Sequence, residues 1–142
     1  MPDANEHDRK LRAIVGEKIR DTLGVEGRQA LFSAACLMAF ADLDLAEPEG
    51  ACLTALSAYL ASAPQGSRVT TRRQTREQLL ATFREAKLAP EAATAVLACI
   101  AYVASADGVV KPAERALLLA IGEALGQGAA ATTAILERIA GS

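Results

Sequence analysis

Aromatic residues make up only 4% of this chain, and tryptophan is absent. Alanine instead fills 32 of the 142 positions, and 51% of all residues are hydrophobic. Alanine and leucine favour helices, whereas the aromatic and β-branched residues that fill strands are scarce. We therefore predict an all-α protein, and its length is that of one domain able to bury a core.

The chain has a single histidine, His7, and no glycine-rich loop of the kind that cradles phosphate groups. His7 lies in a polar start, residues 1–7, which we expect to be disordered ahead of a helical domain spanning 8–142. That placement excludes a Ser-His-Asp or Cys-His arrangement from the core. No small-molecule substrate is evident, so we expect no enzymatic activity.

Cysteine is also sparse, because the only three (Cys36, Cys52 and Cys99) form no C-x-x-C pair. Each lies in a run rich in alanine and leucine, which predicts buried thiols in a reducing compartment. The start of the chain lacks the apolar segment of a signal peptide. The longest uncharged helical run, 92–106, is shorter than the roughly 20 residues of a membrane span. We expect a cytoplasmic protein.

Basic residues are missing from one long stretch, between Arg28 and Arg68, and all four charges there are acidic: Asp42, Asp44, Glu47 and Glu49. The balance then reverses, with six basic residues against two acidic ones in the segment 68–87. This basic segment offers one functional alternative, an interaction module for nucleic acid or an acidic partner. Few aromatic residues are available for base stacking and the net charge is −2, so nucleic acid is not the favoured partner.

Proline and glycine mark the expected boundaries of about seven helices. Pro48, Pro90 and Pro112 suit the first turn of a helix, because the proline ring presets φ and the missing N–H has no partner there in any case. The nearly all-apolar helix that Pro90 begins should be central. The predicted helices are approximately 8–23, 28–43, 48–63, 73–86, 90–106, 112–126 and 130–139.

An internal repeat relates residues 29–63 to residues 94–128, at an offset of 65 positions. Each copy has an apolar helix, an acidic turn, and a helix with proline and glutamate at its start. Such a hairpin cannot bury its apolar faces alone, whereas two copies packed about a pseudo-twofold axis can. In that arrangement both acidic turns can lie at one end of the bundle.

The acidic residues of the two turns are candidate metal ligands. Asp107 follows the carboxyl end of a helix, where a carboxylate is disfavoured by roughly 0.3–1 kcal/mol, and Asp42 and Asp44 have the same placement. A bound cation would reverse this penalty. Glu49 and Glu114 are weaker indicators, because the helix dipole favours acids in a first turn without any ligand. Glu114 is not expected to belong to a capping box, since its cap position holds a lysine rather than serine or threonine.

The repeated spacing of Asp and Glu, seven apart in both copies, indicates a site built from Asp42, Asp44, Glu49, Asp107 and Glu114. Oxygen ligands favour Ca²⁺ or Mg²⁺ over Zn²⁺. The spacing is not that of an EF-hand, because the required glycine position holds Glu47 and the twelfth position holds Leu53. Two alternatives stay open: the acids are solvated turn residues, or the domain is a ligand-free helical scaffold.

The chain resembles a known family. Three features are similar to the tellurite-resistance protein TerB: the sequence at residues 88–93, the apolar helix leading into 105–108, and Glu114. The resemblance extends from about Gln29 to Gly126 and is closer in the second half. It implies an all-α domain of two pseudo-symmetric halves with an acidic cluster that binds divalent metal.

The TerB resemblance also implies a role in tellurite and other chemical stress, as a scaffold or sensor. The implied partners are other tellurite-resistance and stress proteins, some of them associated with the membrane. Carried over by position, the family's metal residues are Asp107 and Glu114 in the second copy and Asp42 and Glu49 in the first. The first copy departs from the family pattern, with Leu43 where the family has glycine, and Asp44 is a candidate to replace or supplement Asp42 there.

Overall fold

The computed structural model describes residues 4–39, 47–62, 74–106 and 110–140. These ranges contain helices and no strand, which confirms the predicted all-α class. We number the eight helices in chain order: α1 Ala4–Ile14, α2 Glu17–Thr22, α3 Gly24–Ala39, α4 Glu47–Ala61, α5 Arg76–Ala86, α6 Pro90–Ala104, α7 Pro112–Ala124 and α8 Ala129–Ala140.

The first helix differs from the prediction in two ways. It begins at Ala4, so residues 4–7 are helical rather than disordered. Two ion pairs spaced four residues apart support this start, Glu6–Lys10 at 3.5 Å and Asp8–Arg12 at 2.9 Å. The expected helix 8–23 is also two helices, because extended backbone at Gly16 (φ −65°, ψ 160°) separates α1 from α2.

The other boundaries within the described residues agree closely with the predicted ones, apart from two helix starts, while the predicted end of the second helix at 43 lies outside those residues. α3 begins at Gly24 rather than after Gly27, and α5 begins three residues later than expected, where Thr75 caps it. The Thr75 hydroxyl accepts a hydrogen bond from the Gln78 amide, and the Gln78 side chain accepts one from the Thr75 amide. This reciprocal capping box satisfies two amides that a helix start leaves unpaired.

The core lies around α3 and α6, which pack against each other. Nearly all of α6 is buried, including Val96, Leu97 and Ile100, so the prediction that this helix is central is confirmed. Small residues such as Ala30 and Ala34 on α3 are also fully buried, which lets the two helices approach closely. The three cysteines are buried, as their apolar surroundings predict.

The helix boundaries reproduce the 65-residue repeat. Residues 29–39 of α3 and 94–104 of α6 are helical, as are residues 48–59 of α4 and 113–124 of α7, and the members of each pair are 65 positions apart. The packing repeats as well: α1 contacts α4 and α6, and α5 contacts α7 and α3. α1 precedes the hairpin of α3 and α4, and α5 precedes the hairpin of α6 and α7. Each of these two helices packs on the second helix of its own hairpin and on the first helix of the other hairpin, as a pseudo-twofold axis requires.

Candidate metal centre

The structure describes only part of the predicted metal site. Asp42, Asp44 and Asp107 lie outside the described residues. Glu49 is the third residue of α4, and its side chain is also outside the description. Glu114 is therefore the one predicted ligand whose surroundings can be examined.

Glu114 is almost completely buried, with 3% of its surface exposed. It is the third residue of α7, and its Oε1 atom accepts a hydrogen bond of 2.9 Å from the Lys111 main-chain amide. The prediction that Glu114 plays no part in a capping box is thus wrong for one half of that motif, the hydrogen bond from the cap amide to the glutamate side chain. That half needs only an acceptor on Glu114 and a main-chain N–H at the cap, which lysine supplies as well as serine does.

Helix α1 shows how the ends of the two hairpins are arranged. The Tyr59 hydroxyl, near the end of α4, donates a 2.6 Å hydrogen bond to the Val15 carbonyl oxygen, just after α1. At the other end of α1, the His7 Nδ1 atom lies 2.7 Å from the Tyr102 hydroxyl oxygen, near the end of α6. Because α1 packs along α4, the start of α4 lies at the same end of the bundle as the end of α6.

We call this end of the bundle the junction end. The chain leaves α6 there and enters α7 after a short connection, so Glu114 lies at the junction end. Glu49, in the first turn of α4, lies there too. The fold therefore brings the backbone positions of these two repeated glutamates to one end of the bundle.

Buried groups that the sequence analysis missed also lie at the junction end. His7 is 1% exposed and contacts the edge of the Tyr102 ring, with ring centroids 5.7 Å apart. Burial raises the pKa of Tyr102 to about 12, with smaller contributions from Cys52, Glu6 and Cys99, so the hydroxyl keeps its proton. The period that places His7 on one helix face with Leu11 and Val15 is the sequence signal that could have located it.

A Cys-His pair was excluded because His7 was expected to be disordered. His7 is instead buried, so that reason no longer applies. The nearby thiol chemistry is nonetheless unfavourable for catalysis. Cys99 is 0% exposed, and burial raises the pKa of its thiol well above the ordinary value. A protonated, inaccessible thiol is a poor nucleophile.

A second cluster, also unanticipated, fixes α1 and α2 to the far end of α4. The guanidinium groups of Arg12 and Arg20 lie 4.7 Å and 4.9 Å from the centre of the Tyr59 ring. Arg20 also donates hydrogen bonds to the Tyr59 carbonyl oxygen and the Ser62 hydroxyl, at 3.2 Å and 2.7 Å. These contacts satisfy the Arg20 guanidinium, so the cluster stabilises the fold rather than offering a binding site.

The basic segment 68–87 is described only from residue 74 onward, so Arg68, Arg72 and Arg73 lie outside the described residues. Arg76 and Arg84 are exposed on α5. Neither forms an ion pair with another described residue. Their charge is therefore available at the surface.

Within the described ranges, no group of three or more His, Cys, Asp or Glu side chains is placed to hold a metal ion. None of the helices in those ranges is both long and apolar enough to cross a membrane. No protein-family model matches the chain, and neither a curated protein nor a solved structure matches it significantly.

Proposed function

We propose that the chain is a non-enzymatic TerB-like module that binds a divalent cation at the junction end. The ligands would come from Asp42, Asp44, Glu49, Asp107 and Glu114. The observation that carries the proposal is the burial of Glu114 at the end of the bundle where α4 also begins. Exposed first-turn acids need no explanation beyond the helix dipole, whereas the buried Glu114 lies at the end of the bundle where acids of both hairpins would meet one cation.

The chemistry of these residues fits a hard cation. Carboxylate oxygens are the ligands of Ca²⁺ and Mg²⁺, and calcium accepts six to eight oxygens in flexible geometry. Two half-sites from a duplicated hairpin would supply such a set with a pseudo-twofold arrangement. We favour Ca²⁺ or Mg²⁺ over Zn²⁺, because no histidine or cysteine occurs in residues 40–49 or 105–114.

A cation shared by the two hairpins would couple its binding to the stability of the whole bundle. A module of this kind acts as a scaffold or sensor, since occupancy changes a surface that a partner recognises. By its resemblance to TerB, the setting would be the response to tellurite or other chemical stress. The partners would be other stress-response proteins, some of them at the membrane.

Thermal melts in EDTA, Ca²⁺, Mg²⁺ and Zn²⁺ test the proposal. A ligand at 100 times its dissociation constant stabilises the native state by about 2.7 kcal/mol, so Ca²⁺ or Mg²⁺ should raise the melting temperature. Asp107→Asn should reduce that rise. Glu123→Gln is the matched control, because Glu123 is an exposed acid near the other end of α7. If no cation shifts the wild-type protein, the metal proposal fails.

The alternative function is an interaction module that uses the basic segment. The exposed Arg76 and Arg84, which form no ion pair with another described residue, favour it. Binding to nucleic acid would weaken steeply with salt, because phosphate contacts release counterions. A variant with Arg72 and Arg73 neutralised would then lose binding. This outcome, together with melts that do not respond to cations, would select the alternative.

A further inference from the structure

A groove of about 510 Å³ opens at the end of the bundle opposite the junction end. It lies between the last turn of α1, the start of α2, the first half of α6 and the end of α8. Ile14 and Ile19 line one side, and the nearly buried Ala95 and Ala98 line the other. Sites for small ligands have volumes of about 300–1,000 Å³ and are largely apolar with a few polar groups, so this groove is of suitable size and lining.

Two opposite charges flank the groove. Glu91 lies in the first turn of α6 and Arg138 in the last turn of α8, where each is favoured by its helix dipole. Both side chains are exposed, and neither forms an ion pair with the other or with any other described residue. The groove therefore presents one anion and one cation that do not neutralise each other by direct contact.

We propose that this groove binds a small zwitterion with an apolar side chain, of the class of free aliphatic or aromatic α-amino acids. The ammonium group pairs with the Glu91 carboxylate. The carboxylate pairs with the Arg138 guanidinium, whose fork of N–H donors suits that geometry. The apolar side chain packs against Ile14 and Ile19. This site is separate from the metal centre and does not depend on it.

The charge requirement is tested by ligands that lack one charge each. L-leucine and L-phenylalanine, titrated at millimolar concentrations, should shift the amide NMR signals of groove residues. N-acetyl-leucine lacks the ammonium group and leucinamide lacks the carboxylate. An exposed ion pair contributes about 0.2–1 kcal/mol, so each analogue should bind about 1.4- to fivefold more weakly than leucine.

Two charge variants assign the contacts. Arg138→Gln should weaken leucine binding but leave leucinamide binding unchanged. Glu91→Gln should weaken leucine binding but leave N-acetyl-leucine binding unchanged. Arg115→Gln, an exposed arginine on α7, is the matched control and should change neither.

A groove-filling variant separates a specific site from general adhesion to apolar surface. At Gly16 a Cβ atom would meet nothing within 4 Å and the backbone is extended, so Gly16→Leu should fold. Its side chain would occupy the groove and abolish binding. Gly128→Leu is the control, because Gly128 also has open space around it but lies outside the groove. Circular dichroism confirms that both variants fold.

Three results would overturn the assignment. The first is the absence of any shift with leucine or phenylalanine. The second is equal binding of leucine and N-acetyl-leucine, which would mark a site for apolar anions. The third is binding that survives in Gly16→Leu.

Discussion

The Nδ1 atom of His7 lies 2.7 Å from the hydroxyl oxygen of Tyr102, which is 95 positions further along the chain. This hydrogen bond joins the first helix to the end of the central helix α6, at the junction end. The Lys10 ammonium group lies 5.9 Å from the centre of the same Tyr102 ring. Helix α1 is therefore an integral part of the bundle.

Tyr102→Phe should lower the free energy of unfolding by about 1–3 kcal/mol, because Nδ1 of the buried His7 loses this hydrogen-bond partner. Denaturant unfolding measures the change. His7→Ala and the double variant complete a thermodynamic cycle, in which contacting residues show coupling of at least about 0.5 kcal/mol. Strictly additive effects would contradict the contact.

The protein should lose stability in alkaline solution. Burial raises the pKa of the Cys99 thiol from an ordinary 9.0 and raises that of Tyr102 from 10.0 to about 12. The unfolded chain then releases these protons at lower pH than the folded one, so their ionisation favours unfolding. The stability contribution is complete below pH 9.0 and declines as the pH rises above it.

Denaturant unfolding across that range measures the slope. Cys99→Ala should reduce the loss of stability that begins at about pH 9.0, and Tyr102→Phe should reduce the loss above pH 10.0. Alanine is tolerable at position 99 because the equivalent residue of the first copy, 65 positions earlier, is Ala34, which is also buried. An unchanged slope in both variants would contradict the prediction.

Gly122 permits the close approach of α7 and α8. A Cβ atom at this position would overlap the Thr132 hydroxyl and lie 3.2 Å from both the Cβ and Cγ2 atoms of Thr132. Thr132 is 1% exposed and has little room to move. Gly122→Ala should therefore lower the free energy of unfolding by about 1–3 kcal/mol, despite alanine's higher helix propensity.

Thermal unfolding measures this change, and Gly128→Ala is the control, since a Cβ there meets nothing within 4 Å. Adding Thr132→Ala to Gly122→Ala should restore part of the loss. If Gly122→Ala and Gly128→Ala behave alike, the close crossing of α7 and α8 is refuted.

Lys87 ends α5 in the left-handed region, with φ 46° and ψ 53°. Residues other than glycine adopt this backbone conformation at a cost of roughly 1–2 kcal/mol. Lys87→Gly should therefore raise the free energy of unfolding by about 0.5–1 kcal/mol, after the greater freedom of glycine in the unfolded chain is subtracted. Lys87→Ala keeps the strained backbone and should give no such gain in denaturant unfolding. A gain in stability in both variants would instead be attributed to the loss of the lysine charge.

The fold was largely predictable because its signals are local and repeated. Pro90 and Pro112 begin helices where the sequence predicts them, and the apolar run between 92 and 104 is the buried central helix. The 65-residue repeat predicted the pseudo-symmetry, because two hairpins with the same pattern of apolar residues bury the same faces. The boundary at Gly16 was missed, since apolar residues continue at helical spacing on both sides of it.

The junction end was harder to predict. The spacing of His7 with Leu11 and Val15 indicates which helix face it shares, but it does not indicate a partner 95 positions away. The half capping box at Glu114 was missed for a different reason. The usual motif requires a serine or threonine side chain at position 111, whereas the observed bond uses only the main-chain amide of that residue.

Glu114 has two separable roles, as a cap of α7 and as a proposed metal ligand. Glu114→Gln keeps an acceptor for the Lys111 amide but removes the charge, so in EDTA its melting temperature should be close to that of the wild type. Glu114→Ala removes the acceptor and should cost about 1 kcal/mol under the same conditions. On addition of Ca²⁺ or Mg²⁺ the wild type should be stabilised and Glu114→Gln much less so. If Glu114→Gln gains as much stability from the cation as the wild type, Glu114 is a cap alone, and any cation is held by the other acids.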